Sequence, residues 1–373
     1  MIVAAGTGVS TYARALGTAQ RAIAHRALVL SGGSLSAPGS PQSYLDRVRR
    51  NLQAISPSAK WAHADAEGFA KPNIYRLGFS YYALHRRPMP IRVPGPAGIM
   101  HWSYPVPLVV EGWRNVYTIH DVIPLTNPEL TTIDAARHRG LLKRIAAVAD
   151  RLVTVSNAAA LAIAREIDVA SDKIVNCAQP VNVDDRSPAN GALPAGLRAG
   201  RYLLVCGIVE PRKNIARILG AYRASAATLP LVIVGPDGSD TGNLAELVNA
   251  TPGVVRLPYQ DRATVLALIA QASALVMPSL AEGFGLPVAE AMTFGTPVIT
   301  SDSGALAETA GDAAVLVDPL DEHAIAQAML TIEHDGAARR ALSAAGLRRA
   351  QAFRPDAFAL RLRALYEGLY DDG

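Results

Sequence analysis

The sequence predicts an α/β protein made of two doubly wound parallel-sheet domains. Three observations carry that expectation. Short β-branched apolar runs alternate with stretches of helical spacing through both halves of the chain. A segment rich in proline, glycine and small residues, Val183 to Gly200, interrupts the rhythm once and reads as a linker. The length, 373 residues, suits two domains of ordinary size. The expected boundaries are 1–190 for the first domain, 191–354 for the second and 355–373 for a C-terminal helix.

Taken in order, Ile2 to Ala5 form a short apolar strand that runs into the loop Gly6-Thr7-Gly8-Val9-Ser10. A helix follows from Thr11 to His25, with Leu16 and Ile23 on one side. Strands are expected at Ala27–Leu30, Gly98–His101, Asn115–His120 and Arg151–Ser156. The last two are short, β-branched and bounded by polar residues, as buried parallel strands are. Between them, Ala135 to Ala149 has helical spacing. Past the linker, strands are expected at Tyr202–Cys206, Leu231–Val234, Gly253–Leu257, Ala274–Met277 and Pro297–Thr300. Helices are expected at Ile215–Ala226, Asn243–Asn249, Arg262–Gln271 and Val288–Phe294. The tail, Ala337 to Tyr370, reads as helix broken at Arg354-Pro355, since proline ends one helix and suits the first turn of the next. Strand–helix units of this kind need right-handed crossovers, and ligands then sit beyond the carboxyl ends of the strands.

Half of the residues are hydrophobic and 18% are charged, which permits packed cores and excludes a disordered chain. Two cysteines, Cys177 and Cys206, are too few for a disulfide framework or a four-ligand zinc site and fit a reducing cytosol. No apolar run reaches the ~18 residues of a membrane span. The opening MIVAAGTGVSTYARAL lacks the basic start and apolar core of a secretory signal. The net charge of +4 hides an asymmetry: residues 1–190 hold 21 Lys and Arg against 13 Asp and Glu, and the remainder holds 15 against 19. An anionic partner for the first half follows, whether a phosphate, an acidic membrane surface or nucleic acid. The interleaved aromatic residues of a nucleic-acid stacking platform are missing, so nucleic acid is not expected.

Four segments carry chemistry. In Leu280–Met292, LAEGFGLPVAEAM, glycines at 283 and 285 and Pro287 mark a loop entering a helix, whose free N–H groups make an anion-binding nest. Two carboxylates there, Glu282 and Glu290, make sense as acceptors of hydroxyl hydrogen bonds from a sugar ring and a ribose. A helix cap is the alternative reading of Glu282. In Val205–Asn214, VCGIVEPRKN, a buried strand ends at Gly207, and Arg212 and Lys213 stand at the mouth of a helix. Cations there oppose the helix dipole unless an anion such as a diphosphate lies between; solvated surface cations are the alternative. In Tyr117–Pro124, YTIHDVIP, His120 follows a strand directly and could donate to a substrate hydroxyl or phosphate, or be structural. Gly6-Thr7-Gly8 allows close approach of backbone to a ligand. It is not a full G-x-G-x-x-G, because Thr11 occupies the third position and no ribose-binding acid follows.

These pieces together resemble the retaining glycosyltransferases of family 4, which have the two-domain GT-B fold. Glu282 and Glu290 match the family's E-x(7)-E motif within EGFGLP…EAM…GTPVI. GTGVSTYARAL, IHDVIPL followed by NPE, ADRLVTVS, EPRKN and GDAAVLVDPLD match in the expected order across most of the chain. The resemblance implies two Rossmann-like domains facing across a cleft, with the helix from Pro355 crossing back to the first. It implies that Lys213 and Arg212 hold the donor diphosphate, that Glu282 contacts the donor sugar and that Glu290 contacts the ribose. Backbone groups at Phe284, Gly285 and Leu286 would bind sugar and phosphate, Gly6 and Gly8 would close over the diphosphate, and His120 would reach the sugar. Leu257 to Tyr259 would flank the base. Where many such transferases carry Gly-Arg, this chain has Gly207-Ile208, which leaves Arg212 and Lys213 to neutralise more of the charge.

The implied activity is retaining transfer of a hexose, mannose from GDP-mannose before others, to a lipid-linked or oligosaccharide acceptor in bacterial polysaccharide synthesis. A UDP- or dTDP-sugar is the alternative donor. Outside the class stand a nucleotide-sugar epimerase and an NAD-dependent oxidoreductase, the latter weakened by the incomplete glycine pattern. No D-x-D-like pair is suitably placed, Asp184-Asp185 falling in the linker, so neither metal nor cofactor is expected beyond the nucleotide sugar. Arg137, Arg139, Lys143 and Arg144 cluster on one helix, where they suit either solvent or anionic headgroups on the inner face of a membrane.

Overall fold

A computed structural model of the chain describes residues 8–23, 27–31, 49, 51–65, 68–182, 191–238 and 244–371. The first lobe carries β1 (Val29–Ser31), β2 (Lys60–Trp61), β3 (His63–Asp65), β4 (Gly68–Ala70), β5 (Met89–Arg92), β6 (Ile99–Trp102), β7 (Leu108–Val110), β8 (Arg114–Thr118), β9 (Arg151–Thr154) and β10 (Ile174–Asn176). Its main sheet is parallel in the order β10-β9-β8-β6. A second parallel sheet, β2-β5-β7, and a mixed one, β1-β4-β3, lie apart from it. Among the described residues this lobe is therefore not one continuous doubly wound sheet. Pro94, Pro96, Pro105 and Pro107 lie on either side of β6 and bring no N–H, which cuts the ladder there. The expected strand at Ile2–Ala5, Gly6 and residues 183–190 of the linker lie outside the described residues.

The second lobe carries β11 (Leu203–Cys206), β12 (Leu231–Val234), β13 (Val254–Leu257), β14 (Ala274–Met277), β15 (Val298–Ser301) and β16 (Val315–Val317). They form one parallel sheet in the order β13-β12-β11-β14-β15-β16, with the winding reversing between β11 and β14. β11 is buried on both faces, and its alternate residues feed different cores. Leu203 and Val205 join Ile218, Tyr222, Ile325 and Met329. Leu204 and Cys206 join Leu268, Val288 and Met292. The helices covering one face are Ile215–Ser225 and Glu322–His334; those on the other are Arg262–Ala270 and Leu286–Thr293.

The Gly8–Ile23 helix begins earlier than its periodicity suggests, so Gly8 is helical. At the other end, Gly336–Ala350 leads through a 3₁₀ turn into Pro355–Asp371. That last helix lies on the first lobe. Gln20 donates to the Tyr366 hydroxyl at 3.0 Å, the Tyr366 hydroxyl meets His101 Nδ1 at 2.6 Å, and Arg361 donates to the Cys177 carbonyl at 2.6 Å. Beneath the cleft, Tyr12, Val153, Val155 and Phe358 share an apolar cluster with Phe284 and Ala289 of the second lobe.

Phe358 is fully buried, with its ring 5.8 Å from that of Tyr12 in an edge-on contact. Phe358→Ala is expected to cost ~3–5 kcal/mol and to lower the melting temperature by several degrees. Leu360→Ala, on the same helix but at a side chain 65% exposed, should leave it nearly unchanged. Thermal unfolding followed by circular dichroism checks both.

Candidate active site

The site is built where β11 ends. Gly207 has φ +133°, and at Gly235, the residue after β12, φ is +141° and a Cβ would lie 1.9 Å from the Gly207 carbonyl oxygen. Two strand ends thus touch at a spacing that excludes any side chain at Gly235. The chain then makes a 3₁₀ turn, Pro211–Lys213, and Asn214 follows in the left-handed region at φ 61°. The Asn214 amide donates to the carbonyls of Pro278 at 3.0 Å and Pro319 at 2.6 Å, while the Leu280 N–H donates to the Arg212 carbonyl at 2.8 Å. These bonds lock the cationic turn to the loop that carries Glu282.

Lys213 Nζ donates to Glu282 Oε1 at 2.5 Å. Arg212 reaches Glu282 Oε2 and Glu210 Oε1, each at 2.6 Å. The side chains of Lys213 and Glu282 are 9% and 10% exposed. Burial alone would push the Glu282 carboxyl up, but Lys213 and Arg212 outweigh it and hold the group below the ordinary carboxylate range. Burial likewise works against the Arg212 charge, and Glu282 and Glu210 more than restore it. Beyond Glu282 the chain enters the Leu286–Thr293 helix through Gly285, at φ 92°. The N–H groups of Phe284, Gly285 and Leu286 find no partner among the described residues, which leaves a nest beside the two cations.

Glu290, one turn into this helix, is 1% exposed and accepts from Arg262 at 2.5 Å. Burial raises its pKa and Arg262 opposes the rise. Arg262 was not legible as a site residue, because it is distant in sequence and only the start of the Arg262–Ala270 helix brings it there. Cys206, in the same field, has its thiol pushed up to about 12 by burial, with Glu290 adding to the effect.

From the first lobe come His120 and Asp121, just past β8. His120 Nε2 is 3.0 Å from the Ser103 carbonyl, which can only accept, so Nε2 carries the hydrogen. The ring meets that of Tyr12 edge-on at 4.8 Å, and burial lowers its pKa. A neutral ring with Nε2 so engaged leaves Nδ1 as an acceptor, whereas the sequence suggested a donor. At Gly283 a Cβ would lie 2.5 Å from the His120 carbonyl oxygen, so the Glu282 loop presses directly on the first lobe. A cavity of 190 Å³ opens beside Glu282 between the lobes, lined among others by Asp121, Asn127, Ala158 and Ser303.

The other expected residues are scattered. Phe284 is buried, its ring 5.2 Å edge-on to Phe353 and its carbonyl accepting from Thr309, so its side chain is structural. Leu257 closes β13 and accepts from Gly235 N–H at 3.2 Å, while Tyr259 is 56% exposed. Gly8 is exposed, and no heavy atom among the described residues beyond its own helix lies within 4 Å of where its Cβ would stand. Arg139 pairs with Glu166 at 2.9 Å and so leaves the expected basic cluster; Arg86 takes its place with Arg137 and Arg144 along a groove of 570 Å³. Among the described residues no group of three or more His, Cys, Asp or Glu could hold a metal ion, and no helix is long and apolar enough to cross a membrane.

Known proteins bear on this geometry. Residues 198–349, which contain Arg212, Lys213, Glu282 and Glu290, match the family model of the glycosyl transferases group 1. The chain is 35% identical over 254 residues to O-antigen chain mannosyltransferase B of Escherichia coli, covering 64% of this chain and 66% of that one. It is 31% identical over 225 residues to O-antigen chain mannosyltransferase RfbU of Salmonella typhimurium, covering 58% and 60%. It thus spans less than two thirds of each of these relatives. The structure of sucrose-phosphate synthase from Thermosynechococcus elongatus superposes with a TM-score of 0.62 at 22% identity, covering 94% of this chain and all of that one. The architecture is accordingly the GT-B fold, and residues 198–349 belong to the glycosyl transferases group 1 family.

Proposed function

We propose that the chain is a retaining glycosyltransferase of family 4 that moves mannose from GDP-mannose to a lipid-linked or oligosaccharide acceptor of a bacterial surface polysaccharide. The observation that carries this reading is the buried triad Lys213–Glu282–Arg212 beside the open nest at Phe284–Leu286. Breaking a sugar–diphosphate bond develops positive charge at the anomeric carbon and negative charge on the departing phosphate. Two buried cations and a neighbouring row of free N–H groups stabilise that phosphate. Glu282 accepts from the sugar hydroxyls, Glu290 from the ribose, and the free Nδ1 of His120 takes a further sugar hydroxyl from the first lobe. Retention rests on the E-x(7)-E resemblance, and mannose on the names of the two bacterial relatives.

The basic groove along Arg86, Arg137 and Arg144 supports an acceptor held near an anionic membrane surface, each cation contributing on the order of 1 kcal/mol there. The protein's own cations take the charge-neutralising part that a divalent metal would otherwise play.

Lys213→Ala and Glu282→Ala are each expected to lower transfer at least ~100-fold while circular dichroism stays that of the wild type. Near wild-type turnover in either would remove the site assignment. Among GDP-, UDP- and dTDP-sugars, GDP-mannose should raise the melting temperature most, because a ligand that binds the folded state stabilises it by mass action. A larger shift with a UDP-sugar would reassign the donor. Activity should persist in excess EDTA; full loss restored by magnesium or manganese would contradict the role given to Arg212 and Lys213.

A further inference from the structure

We propose that Glu308 and Ser156 form a clasp between the lobes that positions the 282–286 loop for transfer, with Glu308 a positioning residue that does not touch substrate. The inference rests on the glycosyl-transfer reading of that loop. Glu308 belongs to the second-lobe helix Gly304–Ala310. Its carboxylate crosses to the start of the first-lobe helix Asn157–Ile167, where Asn157 N–H donates to Oε1 at 2.7 Å and Ala158 N–H to Oε2 at 2.8 Å. These are N–H groups that a helix start leaves free, and its dipole favours a carboxylate there. The next one, Ala159 N–H, donates to Ser156 Oγ at 3.0 Å, and the Ser156 hydroxyl itself donates to the Gly283 carbonyl at 2.8 Å. One helix start is therefore fastened to Glu308 on one side and to the residue after Glu282 on the other.

The circuit closes inside the second lobe. Thr309, adjacent to Glu308, donates its hydroxyl to the Phe284 carbonyl at 2.6 Å. Arg349 fixes the end of that helix through the Glu308 carbonyl at 2.6 Å and the Thr309 carbonyl at 3.0 Å. Opening the lobes must break the Glu308 and Ser156 bonds together. Moving the loop alone must break the Ser156 bond to Gly283 or the Thr309 bond to Phe284. The Asn157–Ile167 helix has Ser156 as its own cap for the Ala159 N–H, and Glu308 takes the two N–H groups that Ser156 leaves free. A carboxylate delivered from the opposite lobe adds coupling between lobes. Nucleotide binding by second-lobe residues needs no such coupling, whereas transfer needs Glu282 and His120 held in register.

Wild type, Glu308→Ala and Glu308→Gln are to be compared as full-length protein in three measurements: GDP binding by calorimetry, transfer at saturating GDP-mannose, and amide hydrogen exchange. In Glu308→Ala, kcat should fall on the order of tenfold, GDP affinity should stay within about twofold, and the bonded amides of the clasp and loop, 157–159 and Leu280, should exchange faster. Glu308→Gln, which keeps the shape and one accepting oxygen, should recover part of kcat. A kcat within about twofold of wild type, a parallel loss of GDP affinity, or unchanged exchange at 157–159 and Leu280 would overturn the clasp. Should wild type bind no nucleotide and transfer no sugar, the glycosyl-transfer reading falls, and the exchange comparison still decides whether Glu308 holds the loop.

Discussion

Two cations and two carboxylates at the junction of the lobes, linked at 2.5–2.6 Å, set the terms for everything around them. Lys213 and Glu282 are about nine-tenths buried, where an unpaired charge would cost several kcal/mol. With Glu210 and Arg212 they form a formally neutral quartet, which is how the chain holds them without a ligand. Under the proposed function the incoming diphosphate takes over Lys213 and Arg212, and Glu282 exchanges cations for sugar hydroxyls. An ionised carboxylate only accepts and the cations only donate, so in that exchange Glu282 and both cations keep hydrogen-bond partners. Glu290 and Arg262 repeat the arrangement one helical turn away.

Such a cluster needs a rigid frame, and the frame is the switch point of a doubly wound sheet. β11 and β14 are neighbours whose following connections leave in opposite directions, so a crevice opens beyond their ends. The turn after β11 supplies the cations and the loop after β14 supplies Glu282. Asn214, by donating to Pro278 and Pro319, joins the turn to that loop and to the chain after β16. Placing Arg212 and Lys213 at a helix mouth works against the dipole. The arrangement persists because two carboxylates are brought within 2.6 Å.

What the sequence made legible follows the range of the forces involved. Strands of the second lobe stand out because apolar, β-branched runs of four residues have few other uses, and β12 and β14 fall where the sequence puts them. The same holds for Arg212, Lys213, Glu282 and Glu290, which lie at strand ends and helix mouths readable from local punctuation. The first lobe was harder. β5 and β7 contain or adjoin prolines, which obscure them in the sequence, and they stand out as strands only where they pair with each other and β5 with β2. Arg262, Ser156 and Glu308 were illegible for a related reason. Each acts on a residue at least 28 positions away, and nothing near it in sequence records the partner.

Net charge misdirects in an instructive way. The first half carries the excess of Lys and Arg, which suggests that an anion binds there, yet the cations of the cleft come from the half in which acids outnumber bases. Some first-lobe cations are paired locally, which removes an acid with each base and leaves the excess as it was: Arg92 pairs with Glu111 at 2.6 Å, Arg114 with Asp150 at 3.1 Å and Arg139 with Glu166 at 2.9 Å. Three other cations, Arg86, Arg137 and Arg144, line the groove between the Ile74–His85 and Ala135–Val148 helices. A sum over 190 residues averages charges separated by far more than the ~8–10 Å over which salt lets exposed charges act. Lys213 and Arg212 act at 2.5–2.6 Å inside a site that excludes most water, where two well-placed groups outweigh any surplus elsewhere on the surface. Under the proposed function the two basic regions would take different anions: one buried and gripped between side chains, the other extended and met at the surface.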